Sequence, residues 1–129
     1  MKTSPILAAV LALAGAGHAL ADSPSKLLRF PDIQGERIVF VQAGDIHIVQ
    51  ATGGTALRLT SHPGDELYPK LSPDGSRIAF SAEYNGTRQV YVMPSSGVEP
   101  RQLTWYNDIG PMPPRGGTDN RVLDWTPDG

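Results

Sequence analysis

Two stretches of this chain repeat each other closely enough to exclude most folds. "GERIVFV" (Gly35 to Val41) aligns with "GSRIAFS" (Gly75 to Ser81) at an offset of 40, pairing Arg37 with Arg77, Ile38 with Ile78 and Phe40 with Phe80. "DIHIV" (Asp45 to Val49) then matches "QVYVM" (Gln89 to Met93), and "LRLT" (Leu57 to Thr60) matches "RQLT" (Arg101 to Thr104), both at an offset of 44. The step from 40 to 44 is a loop longer by four residues, "AEYNGT" (Ala82 to Thr87) standing opposite "QAG" (Gln42 to Gly44). A third copy starts at "VLDWTPDG", where Asp128 and Gly129 fall 54 residues after Asp74 and Gly75, the extra residues lying around "NDIGPMPPRGGTDN". A unit of this length with four short strands is the signature of propeller blades rather than of helical repeats.

The periodic segments alternate with period two and are rich in Val, Ile, Phe and Tyr, with Pro and Gly recurring between them, which disfavours helix independently. In the second repeat the pattern predicts strands near Tyr68 to Leu71, Arg77 to Ser81, Gln89 to Met93 and Arg101 to Thr104. In "SPDG" (Ser72 to Gly75), Pro73 presets the backbone, Asp74 can bond nearby amides and Gly75 tolerates the exit geometry of a tight turn. Alternation sets Ile78 and Phe80 against Arg77 and Ala79, and Val90 and Val92 against Tyr91. Such strands, apolar on both faces, suit a blade covered on each side by a neighbour. The expectation is an all-β partial propeller of four-stranded antiparallel blades: blade 1 at about 27–60, with a poorly marked leading strand, blade 2 at about 67–104, and the start of blade 3 at about 121–129. A small antiparallel sandwich is the alternative, but a sandwich does not require its strand phrases to recur in register.

The first residues stand apart from the repeat. "MKTSPILAAVLALAGAGHALADSP" opens with Lys2, runs apolar from Ile6 to Ala16 and offers Ala19-Leu20-Ala21 as a small-x-small site, so residues 1–21 read as a secretory signal cleaved between Ala21 and Asp22. The apolar run is too short to span a bilayer, and no later segment is long enough either. The mature part, 22–129, is therefore expected to be exported to the periplasm or beyond, with no membrane association once the signal is gone. Without Lys2 it carries ten basic and thirteen acidic residues and no basic cluster, which disfavours nucleic acid as a partner. The chain has no cysteine, which excludes disulfides and thiolate chemistry.

The phrases "LSPDGSRIAF", "QVYVMPSSGVEPRQLT" and "HPGDELYPKLSPDG" resemble the propeller repeats of the periplasmic translocation protein TolB and of tricorn-type proteases. The order "LLRFPDIQGERIVFVQAGDIHIV", "GGTALRLTSHPGDE" and "MPPRGGTDNRVLDWTPDG" resembles the N-terminus of secreted bacterial tricorn-like serine peptidases, over nearly all of residues 27 to 129. That resemblance implies a first propeller of roughly six blades, then further domains with a serine nucleophile and a histidine base, none of whose residues map onto this sequence. It also implies that the chain is a piece of a longer one, that the parent acts on peptides or unfolded protein segments, and that the parent can form a homo-oligomer. A propeller that filters or channels peptides is the leading expectation; a non-enzymatic TolB-like binding propeller is the alternative.

Chemistry sought in the residues themselves is sparse. Serine catalysis needs a base oriented beside the nucleophile, and no "GxSxG" elbow occurs. His47 in "DIHIV" takes the position of Tyr91 and is expected to pack on a blade face. His62 in "SHPGDE" has Asp65 and Glu66 close by, but one imidazole on a Pro-Gly turn reads as a solvated connection between blades rather than a metal site. "SPDG" lacks the acidic series of a calcium loop, so Asp74 reads as a turn residue. No catalytic residue, metal site or cofactor is expected here. The segment around "GPMPPRGG", with Trp105, Tyr106 and Arg115, is the candidate contact loop, since these residue types are enriched at interface hot spots.

Overall fold

The computed structural model describes residues 27–105 and 120–129. Eight strands form two four-stranded antiparallel sheets, with no helix among the described residues. The first sheet runs β1 (Leu28–Gln34), β2 (Arg37–Gln42), β3 (Asp45–Gln50) and β4 (Leu57–Arg58), in that spatial order. The second repeats it with β5 (Glu66–Leu71), β6 (Arg77–Ala82), β7 (Gln89–Pro94) and β8 (Arg101–Gln102). Each sheet is a meander because every connection is a short turn, and short turns can join only antiparallel neighbours.

The central hairpins keep the same register in both sheets. Phe40 lies opposite His47 in the first and Phe80 opposite Tyr91 in the second, and the rings stack with centroids 5.6 and 5.9 Å apart. His47 thus packs on a sheet face as its position predicts, its Nδ1 3.2 Å from the Asp45 carbonyl oxygen. The leading strand of the first repeat, poorly marked in the sequence, pairs antiparallel with β2. β1 carries a bulge between Arg29 and Asp32, and β5 carries the corresponding bulge between Leu67 and Lys70. The bulges hold Phe30-Pro31 and Tyr68-Pro69. A proline has no amide to give a ladder and is tolerated at such irregularities. Phe30 and Tyr68 share a positive φ, 51° and 55°, and their rings meet at 4.4 Å. At the far edge, β8 stops at Gln102 instead of running to Thr104, because the Thr104 hydroxyl takes the Val90 amide at 2.9 Å.

The core lies between the sheets. Val39, Val41 and Ile46 of the first pack with Leu71, Ile78, Phe80, Ala82, Tyr91 and Met93 of the second, with Phe30, Leu59 and Tyr84 at the margin. Fully burying each large side chain of this set stabilises by roughly 1.5–3 kcal/mol relative to leaving it exposed. The alternate residues of the second sheet point the other way, and the segment from Asn120 onward lies against them. The Ser81 hydroxyl donates to the Asn120 carbonyl at 2.8 Å and accepts from the Val122 amide at 3.1 Å. The second sheet is therefore covered on both faces, as a propeller blade is.

Candidate functional site at the seam between the blades

Polar side chains of the first sheet grip the first turn of the second. The turn itself is preorganised: Asp74 accepts from the Ser72 hydroxyl at 2.6 Å, from the Ser76 amide at 3.0 Å and from the Ser76 hydroxyl at 2.7 Å. Those donors, with Ser72 foremost, hold its carboxyl well below the usual carboxylate range. Arg37 Nη1 then donates to the Gly75 carbonyl at 2.9 Å and to Ser95 Oγ at 3.0 Å, while Gln34 Nε2 donates to the Pro73 carbonyl at 2.6 Å. Asp32 reaches the strand before the turn, pairing with Lys70 Nζ at 2.8 Å and accepting from the Leu71 amide at 2.9 Å. Arg77, the repeat partner of Arg37, makes the corresponding approach to the third copy, its guanidinium 4.8 Å from the ring centroid of Trp125. The Trp125 indole N–H in turn donates to the Lys70 carbonyl at 2.9 Å.

At the other end of the seam sits Glu66, fully buried at the start of β5. The sequence places it in a solvated connection beside His62 and Asp65; the structure corrects this. Its carboxylate accepts from the Ile46 amide at 3.1 Å, from the Thr60 hydroxyl and from the Tyr84 hydroxyl at 2.6 Å, so donors from both sheets converge on it. Burial nonetheless pushes its pKa up, desolvation outweighing the three hydrogen bonds, and nearby Asp45 adds to the rise. The next seam repeats the arrangement with neutral groups. Thr104 replaces Thr60, and Asn120, 54 residues after Glu66, donates to the Arg88 carbonyl at 2.9 Å and approaches Gln89 Oε1 at 3.4 Å.

His62 lies nearby and is exposed, as expected. Its Nδ1 accepts from the Gly64 amide at 2.9 Å and its ring lies 4.2 Å from that of Tyr84. With Leu59, Thr60, Val98 and Glu99 these rings line a cleft of about 330 Å³ along the outer edges of the two sheets. Among the described residues no group of three His, Asp or Glu side chains converges as a metal site would require. Trp105, of the candidate contact loop, is 75% exposed beyond β8. Tyr106 and Arg115, and the signal cleavage position at Ala21 and Asp22, lie outside the described residues. Sequence reasoning missed Glu66, Asp32 and the grip of Arg37. The recurrence of Arg37 as Arg77 is the one signal that could have exposed the last. Chemically, the seam fixes the angle between two blades and presents clefts at its margins.

The family model described as the tricorn protease N-terminal beta propeller domain matches residues 25–129. The tricorn protease homolog 1 of Streptomyces coelicolor is 30% identical over 102 residues, covering 79% of this chain and 9% of that protein. Among solved structures, the crystal structure of the tricorn protease matches with a TM-score of 0.54 at 28% identity, over 60% of this chain and 8% of that one. TolB from Acinetobacter baumannii matches with a TM-score of 0.60 at 24% identity, over 80% of this chain and 25% of that one. The chain spans about a tenth of the length of the Streptomyces relative.

Proposed function

The chain belongs to the tricorn protease N-terminal β-propeller family, and from that premise we propose that it supplies the opening blades of an exported tricorn-like serine peptidase. In this reading the propeller sorts or channels peptides and unfolded segments toward a catalytic centre elsewhere in the parent protein, and residues 27–129 take no part in bond cleavage. The observation that carries it is the family match over residues 25–129, with relatives named as proteases on either side of the bacterial and archaeal divide. The likeness to TolB is one of fold, at 24% identity, and does not by itself favour a non-enzymatic scaffold.

The seam supports a sorting role physically. A filter must keep its aperture against passing chain, and blades joined by charge-assisted bonds at one end and a satisfied buried carboxyl at the other resist relative rotation. Export to the periplasm or the medium rests on the tripartite pattern before Asp22. The test is hydrolysis by the intact protein with and without this propeller. Cleavage of short peptides is expected to persist while discrimination against long or folded substrates is lost. Equal size selectivity in both forms would overturn the sorting role, and a serine-reactive probe that labels within residues 27–129 would overturn the division of labour.

A further inference from the structure

The loop that distinguishes the second repeat from the first by four residues ends the β6–β7 hairpin. Its base is closed by Arg88, whose guanidinium Nε donates to Glu83 Oε1 at 3.1 Å, and by Gln89 Nε2, which donates to the Thr87 hydroxyl at 3.0 Å. Its tip is Asn85-Gly86, and both residues are exposed. Asn85 is the one asparagine of the chain followed by glycine. Gly86 has a φ of 83°, and a Cβ built there would meet nothing within 4 Å, so no neighbouring group crowds the exposed tip beside its backbone nitrogen.

We propose that Asn85 is a site of spontaneous covalent modification, in which its side-chain amide closes on the backbone nitrogen of Gly86 and the ring then opens to isoaspartate or aspartate. In the first step a bond forms between Gly86 N and Asn85 Cγ as the Cγ–Nδ2 bond breaks. Nδ2 leaves as ammonia, taking the proton given up by Gly86 N, and a succinimide remains. In the second step water adds to one of the two ring carbonyls. Opening at Cγ gives aspartate; opening at the backbone carbonyl gives isoaspartate, with one extra methylene in the main chain. No oxidant, metal or enzyme is needed, and asparagine is among the residues recognised as thermolabile for this kind of reason.

A second site in the same molecule shows what the reaction requires. Asp74-Gly75 has the same backbone sequence logic, with Gly75 at a φ of 70°. Its carboxylate, however, is kept ionised by Ser72 and Ser76 and is a poor electrophile. The Asn85 amide is neutral and has no such cage; it donates to the Tyr91 hydroxyl, which itself donates to Gln102 Oε1 at 3.3 Å. Conversion removes that donor and sets a carboxylate beside Glu83.

The experiment holds the intact protein at mildly alkaline pH and maps its peptides by mass spectrometry over time, with isoaspartate read by enzymatic methyl transfer. Asn85 is expected to convert at least roughly ten-fold faster than Asn120, a difference in barrier of about 1.4 kcal/mol. Gly86→Ala should slow the reaction, because the added Cβ crowds the attacking nitrogen. A synthetic unfolded peptide spanning Glu83 to Gln89 gives the unhindered rate and guards against a misfolded variant. If Asn85 keeps its amide in the folded protein while the peptide converts, or if Gly86→Ala converts as fast as the parent, the proposal falls.

Discussion

Arg37 of one blade donates to the main-chain carbonyl of Gly75 in the next, 2.9 Å away, and so ties the tip of a turn to a strand 38 residues earlier. The same nitrogen reaches Ser95, so one guanidinium fixes two turns of the second blade at once. Both bonds leave one nitrogen held in the plane of the guanidinium, whereas a lysine ammonium is a freely rotating point charge on a flexible stem. Arg37→Ala is expected to lower unfolding free energy by about 1 kcal/mol, less than a buried charge-assisted bond contributes because the group is partly exposed. Arg37→Lys should recover less than half of that. Urea titration of the intact protein monitored by tryptophan fluorescence reads both, since Trp125 reports on the adjoining seam.

The core between the blades predicts a larger loss. Phe80 is fully buried and stacks on Tyr91, with Tyr84 edge-on at 6.3 Å. Phe80→Ala should cost roughly 3–5 kcal/mol, the removed apolar surface and the cavity left behind both contributing. Phe80→Leu should cost markedly less, since the volume is mostly kept. Thermal melts of the two variants check the order; equal losses would mean that the site collapses freely.

Glu66 and Asp74 shift in opposite directions, and each carries its own pH dependence. The folded pKa of Glu66 is raised above 4.5, so between that value and its folded pKa the native state holds a proton that the unfolded chain has released. Stability tied to Glu66 is thus complete below pH 4.5 and declines as pH rises. Asp74 is the reverse: its folded pKa is depressed, so its share is complete above 3.8 and declines as pH falls. Together they set the most favourable range between those two values. Denaturation midpoints of Glu66→Gln should decline less as pH rises above 4.5, and those of Asp74→Asn should decline less on the acid side, where Asp128, also lowered, still contributes. A Glu66→Gln profile parallel to the parent would show that other groups govern the seam.

How much of this was readable beforehand depended on where the information lay along the chain. β2, β3, β6 and β7 were legible because their alternation and their turns recur at constant offsets. β1 was obscured because the Gln34-to-Glu36 turn is two residues shorter than its counterpart. Phe30-Pro31 therefore matches Tyr68-Pro69 at an offset of 38, out of step with the 40 that follows. The burial of Glu66 was not legible at all. Its donors come from Ile46, Thr60 and Tyr84, up to 20 residues away and on two sheets, and only the packed seam brings them together. Turn residues announce themselves locally, whereas a buried carboxyl is a tertiary fact.

Two glycines separate steric from conformational demand. A Cβ on Gly64 would lie 2.4 Å from the carbonyl oxygen of Glu83, and that oxygen is backbone with no freedom to swing aside. A Cβ on Gly35 would meet nothing within 4 Å, but its φ is 57°, a region that costs an ordinary L-residue roughly 1–2 kcal/mol. Both alanine variants should therefore be destabilised, for different reasons. Asparagine tells them apart: it adopts positive φ more readily than alanine, so Gly35→Asn should recover part of the loss. Gly64→Asn should be worse than Gly64→Ala, because a larger side chain only deepens the clash. Chemical denaturation of the four variants gives the comparison. If Gly64→Asn were the milder change of its pair, the close approach of the β4–β5 connection to Glu83 would have to be abandoned as the reason glycine stands there.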